Sequence, residues 1–275
     1  MNILEDWSRK LRLYLHAAYV TRSINWRGLP LIPKGFSPGL PSNRASYNEF
    51  LVWIRHSVRL RDARVIFDVG ANHGVFAQAA STCFPEATVF LFEPLPTLRP
   101  FLEALSVHYG NRWRFRPLAF GAANTCLPFH VNAEDDGIGS FVGFSESYNH
   151  LYEQSHGGEP AGRGSTAIEV SVERLDDFCE REGIKHIDLV KIDVEGFEFA
   201  VLDGARKMLS NTTALIIETS LVRTGEGKPA TLSNMVSRLT EFGFYIVALY
   251  PAFVRDAKGQ SRPGEYNILA RRFDS

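Results

Sequence analysis

Two stretches of this 275-residue sequence bring carboxylates, glycines and a lysine together at spacings that chemistry can use. The first is Asp68-Val69-Gly70-Ala71-Asn72-His73-Gly74, followed by Phe92-Glu93-Pro94, with Glu93 nineteen residues beyond Gly74. Glycines in such a turn let the backbone bend tightly and let a ligand approach the main chain, where a side chain would clash. A carboxylate at the position of Glu93 can accept hydrogen bonds from both cis hydroxyls of a ribose. Together they predict a bound nucleoside cofactor. The second stretch is Lys191-Ile192-Asp193-Val194-Glu195-Gly196-Phe197-Glu198. Strand alternation turns Lys191, Asp193 and Glu195 toward one side, and Asp193 and Glu195 are the candidate catalytic carboxylates. Glu198 reads as a helix-start residue favoured by the helix dipole. Glu218 ends a further apolar run and could join Asp193 in a two-carboxylate magnesium site, which the spacing does not compel.

Which nucleoside is bound depends on the turn. Dinucleotide enzymes favour Gly-x-Gly-x-x-Gly, whereas here Asn72 stands between Gly70 and Gly74 and the second dinucleotide glycine is missing. Asp68 beside the loop would repel a pyrophosphate and would suit a sulfonium and an α-ammonium group. The balance favours S-adenosylmethionine, with a NAD-dependent oxidoreductase and a non-catalytic binding module as the competing readings. His73, inside the turn, is a weaker candidate base. Glu93, at a cleft mouth, is expected to contribute little to the core.

These residues need a scaffold that gathers them at one edge. Val65–Val69, Val89–Phe92, Ile187–Ile192 and Ala214–Ile217 are short, uniformly apolar and rich in β-branched residues, as in parallel strands covered on both faces. Between them, Phe76, Ala79, Ala80 and Cys83, then Phe197, Ala200, Val201, Met208 and Leu209, and then Leu232, Met235, Val236, Leu239 and Phe242 mark amphipathic helices; a strand from Tyr245 to Tyr250 follows. Strands alternating with helices predict an α/β fold with a mainly parallel sheet and helices on both faces, whose ligands bind at the carboxyl ends of the strands. Leu127–Asn132 reads as a hairpin strand, and Asp177 with Glu180 as a capping pair at a helix start, which makes Asp176 and Asp177 structural.

Residues 1–45 read as an appendage: Leu4, Trp7, Leu11, Tyr14, Leu15 and Ala18 make an amphipathic helix that could serve a homodimer, and a Pro- and Gly-rich stretch follows. Residues 46–275 form the main domain, opening with a helix over 47–58. Its Gly-, Ser- and His-rich run 137–166 is long enough to be a lid or acceptor loop. Lys plus Arg is 30 and Asp plus Glu is 31, so no basic excess advertises nucleic acid as a partner. No run approaches the length of a membrane span. Three widely spaced cysteines without a Cys-x-x-Cys fit a reducing, cytoplasmic setting, as does the acidic start of the chain, which lacks the positive charge of a signal peptide.

Taken in order, Asp68-Val69-Gly70-Ala71-Asn72-x-Gly74, Phe92-Glu93-Pro94-x-Pro96, Leu175-Asp176-Asp177, Lys191-Ile192-Asp193-Val194-Glu195-Gly196-x-Glu198 and Val201-Leu202-x-Gly204-Ala205 resemble the FkbM-type methyltransferases over roughly residues 60–222. The Lys-Ile-Asp-Val-Glu-Gly element is the most specific part. The resemblance implies a Rossmann-like class I methyltransferase sheet of seven strands with the last antiparallel, S-adenosylmethionine as methyl donor, and an oxygen acceptor on a sugar, glycan or natural product. It also implies that Gly70, Ala71, Asn72 and Gly74 line the methionine end of the donor, that Glu93 and the adjoining Pro94 hold its ribose, and that Ala119 meets the adenine edge. In Ala119-Phe120-Gly121 a phenylalanine stands where the family often has leucine.

Overall fold

The computed structural model describes residues 51, 60, 62–131, 139–141, 166–220, 231–255 and 261–273. The expected N-terminal helix and appendage, the helix over 47–58 apart from Leu51, and most of the 137–166 run lie outside the described residues.

Along the described chain, β1 (Val65–Val69), α1 (Val75–Cys83), β2 (Thr88–Phe92), α2 (Arg99–Tyr109) and β3 (Trp113–Arg116) form the first half of the sheet. A short β4 (Ala119–Phe120), β5 (Thr125–Val131) and β6 (Thr166–Glu173) follow, then α3 (Leu175–Glu182), β7 (Ile187–Ile192), α4 (Glu198–Gly204), α5 (Arg206–Leu209), β8 (Thr212–Ser220), α6 (Leu232–Glu241), β9 (Phe244–Arg255) and β10 (Ser261–Arg272). The seven-stranded sheet has the order β3-β2-β1-β7-β8-β10-β9. Pairings from β3 through β8 are parallel, and β10 runs antiparallel to both β8 and β9. The expected antiparallel last strand is therefore present, inserted between β8 and β9.

Each central strand divides its apolar residues between two cores. Ile66, Val89, Leu91, Leu189 and Ile216 pack with Phe76, Ala80 and Leu102 of α1 and α2. Their neighbours Phe67, Val69, Phe90, Phe92, Val190 and Leu215 pack on the other face with Phe178, Val201 and Leu239 of α3, α4 and α6. This period-2 split explains why the strands read as continuous apolar runs: both faces are covered. Because β2 and β7 flank β1 on either side, the turns that follow these three strands meet at one edge, where the crossover direction reverses.

Three local expectations are corrected. The helix expected to run from Phe197 through Leu209 is two helices, broken at Ala205. A Cβ on Gly204 would lie 2.0 Å from the Gly121 carbonyl oxygen, so the backbones touch there, and the buried Asp176 carboxylate accepts hydrogen bonds from the Lys207 and Met208 amides to cap α5. Asp177 is not the cap of α3; Arg174 holds that position, and the Asp177 carboxylate instead accepts from the Asn124 side chain. The strand expected at Leu127–Asn132 is β5, whose partner is β6 across the long intervening run, in a separate three-stranded sheet of order β4-β6-β5.

Candidate active site

At the edge where the turns after β1, β2 and β7 meet, a cavity of about 540 Å³ opens, within the usual range for small-molecule sites. Its lining draws Leu118, Ala119 and Phe120 from the chain after β3, Glu93, Pro94 and Leu95 from the turn after β2, and Gly70, Ala71, Asn72, Lys191, Asp193 and Glu195 from the ends of β1 and β7 and the turns that follow them. His73 lines it as well.

Gly70 sits in the seam between the two main turns. Its φ is +76°, and a Cβ there would lie 1.8 Å from the Asp193 carbonyl oxygen, so both conformation and close approach demand glycine. The Asp193 amide donates to the Val69 carbonyl at 3.1 Å and closes the seam. Asn72 also has a left-handed backbone, with φ +46°, a region where asparagine is the best tolerated of the non-glycine residues after glycine itself.

The amide groups of this loop are all spent within the protein. Gly70 and Ala71 donate to the Phe92 carbonyl, Asn72 to Glu93 at 2.8 Å, His73 to the Asn72 side chain at 2.6 Å, and Gly74 to the Ala71 carbonyl at 2.7 Å. A pyrophosphate cradle needs such N–H groups pointing at the ligand. The amides of residues 70–74 are engaged in this way, while Val75 and Phe76, which open α1, also line the cavity.

Glu93 is 5% exposed and anchors the loops as well as facing the cavity. Its two oxygens accept from the Asn72 amide and, at 3.0 Å, from the Leu95 amide. An ionised carboxylate offers about four lone-pair sites, so two remain for a vicinal diol. Burial pushes its pKa up, opposed by these two backbone bonds and by the Lys191 charge. The expectation that Glu93 matters little to the fold is corrected, since it ties two turns together.

Two expected donor contacts are corrected too. Asp68 is fully buried beneath the loop and does not border the cavity. Its Oδ2 accepts from the Ala77 amide at 3.2 Å and its Oδ1 lies 3.5 Å from Lys191 Nζ. Gly74 is the first-turn cap of α1, with φ +69°, and stands behind the cavity wall against Leu91, Leu102 and Trp113. Its glycine serves the turn.

Burial raises the Asp68 pKa to about 6, with Lys191 acting in the opposite direction. A carboxyl that holds its proton more tightly in the fold than in the unfolded chain contributes most below its unfolded value of 3.8 and loses that contribution as pH rises through about 6. Asp68→Asn removes the titration. Its stability relative to the parent is expected to improve between pH 4 and pH 7.5 by about 2 kcal/mol. Urea denaturation at the two pH values checks this, and a pH-independent difference would contradict it.

Asp193 and Glu195 lie in the turn beyond β7, and Glu218 of β8, which the spacing does not compel, joins them. Carboxylate oxygens of Asp193, Glu195 and Glu218 all lie within 4.8 Å of one another, and all three residues are half-buried. Lys191, 5% exposed, holds Asp193 Oδ2 at 3.2 Å and the Gly70 carbonyl at 3.0 Å. Glu195 has φ +59°, a strained setting for a non-glycine residue, and its carbonyl accepts the Ser140 hydroxyl at 2.6 Å. Glu198 is buried and accepts from the Val194 and Gly196 amides, which bears out its helix-start reading.

The residues that sequence reasoning missed are mainly aromatic. Phe129 and Phe141 line the cavity and meet edge to face at 4.8 Å, with Phe197 packed on Phe141 at 4.6 Å. Ser140, between Gly139 and Phe141, pairs with His130 of β5 through both backbone hydrogen bonds. Residues 139–141 thereby strap the small sheet to the Glu195 turn beside the cavity. The only sequence signal was that the 137–166 run is long and aperiodic.

The fold and the site define an α/β domain with a mainly parallel seven-stranded sheet, an antiparallel strand inserted beside its edge, a buried carboxylate after β2 and an acidic pair after β7. The methyltransferase FkbM domain pattern matches residues 68–246, and the chain belongs to that family. It is 31% identical over 168 residues to the 2-O-methyltransferase NoeI of Sinorhizobium fredii, a match covering 60% of this chain and 66% of that one. Over 165 residues it is 33% identical to the 31-O-demethyl-FK506 methyltransferase FkbM of Streptomyces tacrolimicus, covering 55% of this chain and 63% of that one. These matches thus span slightly less than two thirds of the relatives' length. A solved precorrin-6y C5,15-methyltransferase from Geobacter metallireducens aligns with a TM-score of 0.47 and 16% identity, covering 86% of this chain and 93% of that one. Among the described residues no helix is long and apolar enough to cross a membrane.

Proposed function

We propose that this chain is an S-adenosylmethionine-dependent O-methyltransferase that methylates a hydroxyl of a sugar, glycan or natural product. The observation that carries the reading is the pairing of a loop whose amides are all occupied with a buried Glu93 that keeps acceptor sites for a ribose. That pairing suits a nucleoside held through its ribose, and the missing second glycine of the dinucleotide motif favours S-adenosylmethionine over NAD. The O-methyl part rests on what NoeI and FkbM are named for, and the sugar, glycan or natural-product acceptor on what the family resemblance implies.

In this reading the adenine lies against Leu118, Ala119 and Phe120, the ribose on Glu93 beside Pro94, and the amino-acid end beside Gly70, Ala71 and Asn72. The donor supplies a methyl group on a cationic sulfur, open to in-line attack. The protein then has to align an acceptor oxygen and remove its proton. Asp193 is the base, with Glu195 beside it as the alternative and Glu218 completing an acidic mouth. The three carboxylates also form a set able to hold magnesium, which would acidify the acceptor hydroxyl instead.

The 137–166 run is a lid in this account, with Gly139 and Phe141 already at the cavity wall. Limited proteolysis is expected to cut between 142 and 165 in the free protein and to be suppressed by S-adenosylhomocysteine; unchanged cutting would contradict a lid. The function itself is tested by transfer of labelled methyl from S-adenosylmethionine to panels of glycans, simple sugars and aliphatic alcohols. Label is expected in a base-stable ether of a hydroxylated acceptor. Label found only on nitrogen or carbon acceptors would overturn the O-methyl assignment.

A further inference from the structure

Lys191 belongs to none of the roles assigned so far, yet it is 5% exposed at the point where the turns after β1 and β7 meet. Among the described residues it is the one lysine or arginine bordering the cavity. An ammonium has three protons to donate, and three oxygens stand around this one: the Gly70 carbonyl at 3.0 Å, Asp193 Oδ2 at 3.2 Å and Asp68 Oδ1 at 3.5 Å. Two of these partners belong to the cavity wall and the third lies beneath it.

We propose that Lys191 is a positioning residue for the amino-acid end of the donor, fixing the Gly70 peptide and the Asp193 carboxylate in one register from below. The idea rests on the donor reading given above and extends it to a residue that touches neither ribose nor adenine. Gly70 has a left-handed backbone with no side chain to restrain it, so its peptide plane needs an external hold. Lys191 grips that peptide by its oxygen and in the same contact set holds Asp193. Asp68, anchored to the start of α1 through the Ala77 amide, keeps the ammonium in place. Losing Lys191 removes the hold on the Gly70 carbonyl, leaving that peptide to its Ala71 amide bond to Phe92, and removes one contact of the Asp193 carboxylate. The adenosine end, held by Glu93 and Ala119, keeps its own supports.

The test compares two ligands that share adenosine and differ at that end: S-adenosylhomocysteine, which carries the full amino acid, and 5′-methylthioadenosine, which lacks it. In calorimetry on the full chain, Lys191→Met is expected to weaken S-adenosylhomocysteine by at least about ten-fold. It should leave 5′-methylthioadenosine within about two-fold of the parent, as for independent sites. Equal weakening of both ligands, or of neither, overturns the proposal. Lys191→Met leaves a buried carboxylate without its cation and can unfold the chain for that reason alone. The double variant Asp68→Asn with Lys191→Met removes that charge and is expected to show the same difference between the two ligands. If it too fails to fold, Lys191 is a folding residue and the proposal falls. A parent chain that binds neither ligand would instead overturn the donor reading itself.

Discussion

Asp193→Asn is expected to slow methyl transfer by roughly 10²–10⁴-fold while leaving S-adenosylmethionine affinity within a few-fold of the parent. Asp193 follows β7, beside the Gly70 seam, and its oxygen lies within 4.8 Å of those of Glu195 and Glu218. An alcohol holds its proton too tightly to attack as an alkoxide at neutral pH, so a carboxylate must accept that proton as the new bond forms or hold a metal that acidifies it. Asparagine keeps the size, and its amide oxygen can still accept from Lys191, but it can do neither task. Single-turnover rates with a productive acceptor, set beside donor affinities, check the split. Magnesium and chelator then separate the two roles: a parent rate insensitive to both assigns Asp193 as the base, whereas loss in chelator assigns it with Glu195 and Glu218 as ligands. A variant as fast as the parent would mean that the acceptor approaches elsewhere.

The second large effect is expected at Glu93. Glu93→Gln should weaken donor binding by roughly 1.5–3 kcal/mol, or about ten- to a hundred-fold, the range of hydrogen bonds to a charged group. Glutamine can accept at only one end, so its amide nitrogen must also face the amide of either Asn72 or Leu95. A lower melting temperature should therefore accompany the loss of affinity, at a cost of about 1–3 kcal/mol for a buried donor left unpaired. Acidification acts in the same direction. Ribose hydroxyls donate to the ionised form, and burial raises the Glu93 pKa, so affinity should fall at a higher pH than for an ordinary carboxylate. Unchanged affinity in Glu93→Gln would remove the ribose contact from the account.

What the sequence made legible was whatever local pattern controls. The parallel strands could be read because both of their faces are buried, and the cofactor turn because backbone geometry demands glycine at Gly70. The convergence of Asp193, Glu195 and Glu218 is partly legible, since Asp193 and Glu195 follow the end of β7 and Glu218 lies in β8 just past its last residue paired with β7. Asp68 was misread because sequence distance says nothing about depth: one residue before Val69, it points under the loop into the protein rather than toward the cavity. Gly74 was misread for a related reason, as a positive φ at a helix start calls for glycine whether or not a ligand is near. Phe129 and Phe141 of the cavity wall, with Phe197 packed on Phe141, come from three segments far apart in the chain, and no local pattern brings them together. The strands β3 and β10 were not marked either. Trp113–Arg116 alternates apolar with basic residues over only four positions, and Ser261–Arg272 opens with Ser-Arg-Pro-Gly, which reads as a turn.

In the proposed function the cavity beside Glu93 takes S-adenosylmethionine and not a dinucleotide. Calorimetric titration of the full chain with S-adenosylmethionine, S-adenosylhomocysteine and NAD tests it most directly. Micromolar binding of the first two, with none measurable for NAD, is the predicted result. Binding of NAD more tightly than S-adenosylmethionine would contradict it.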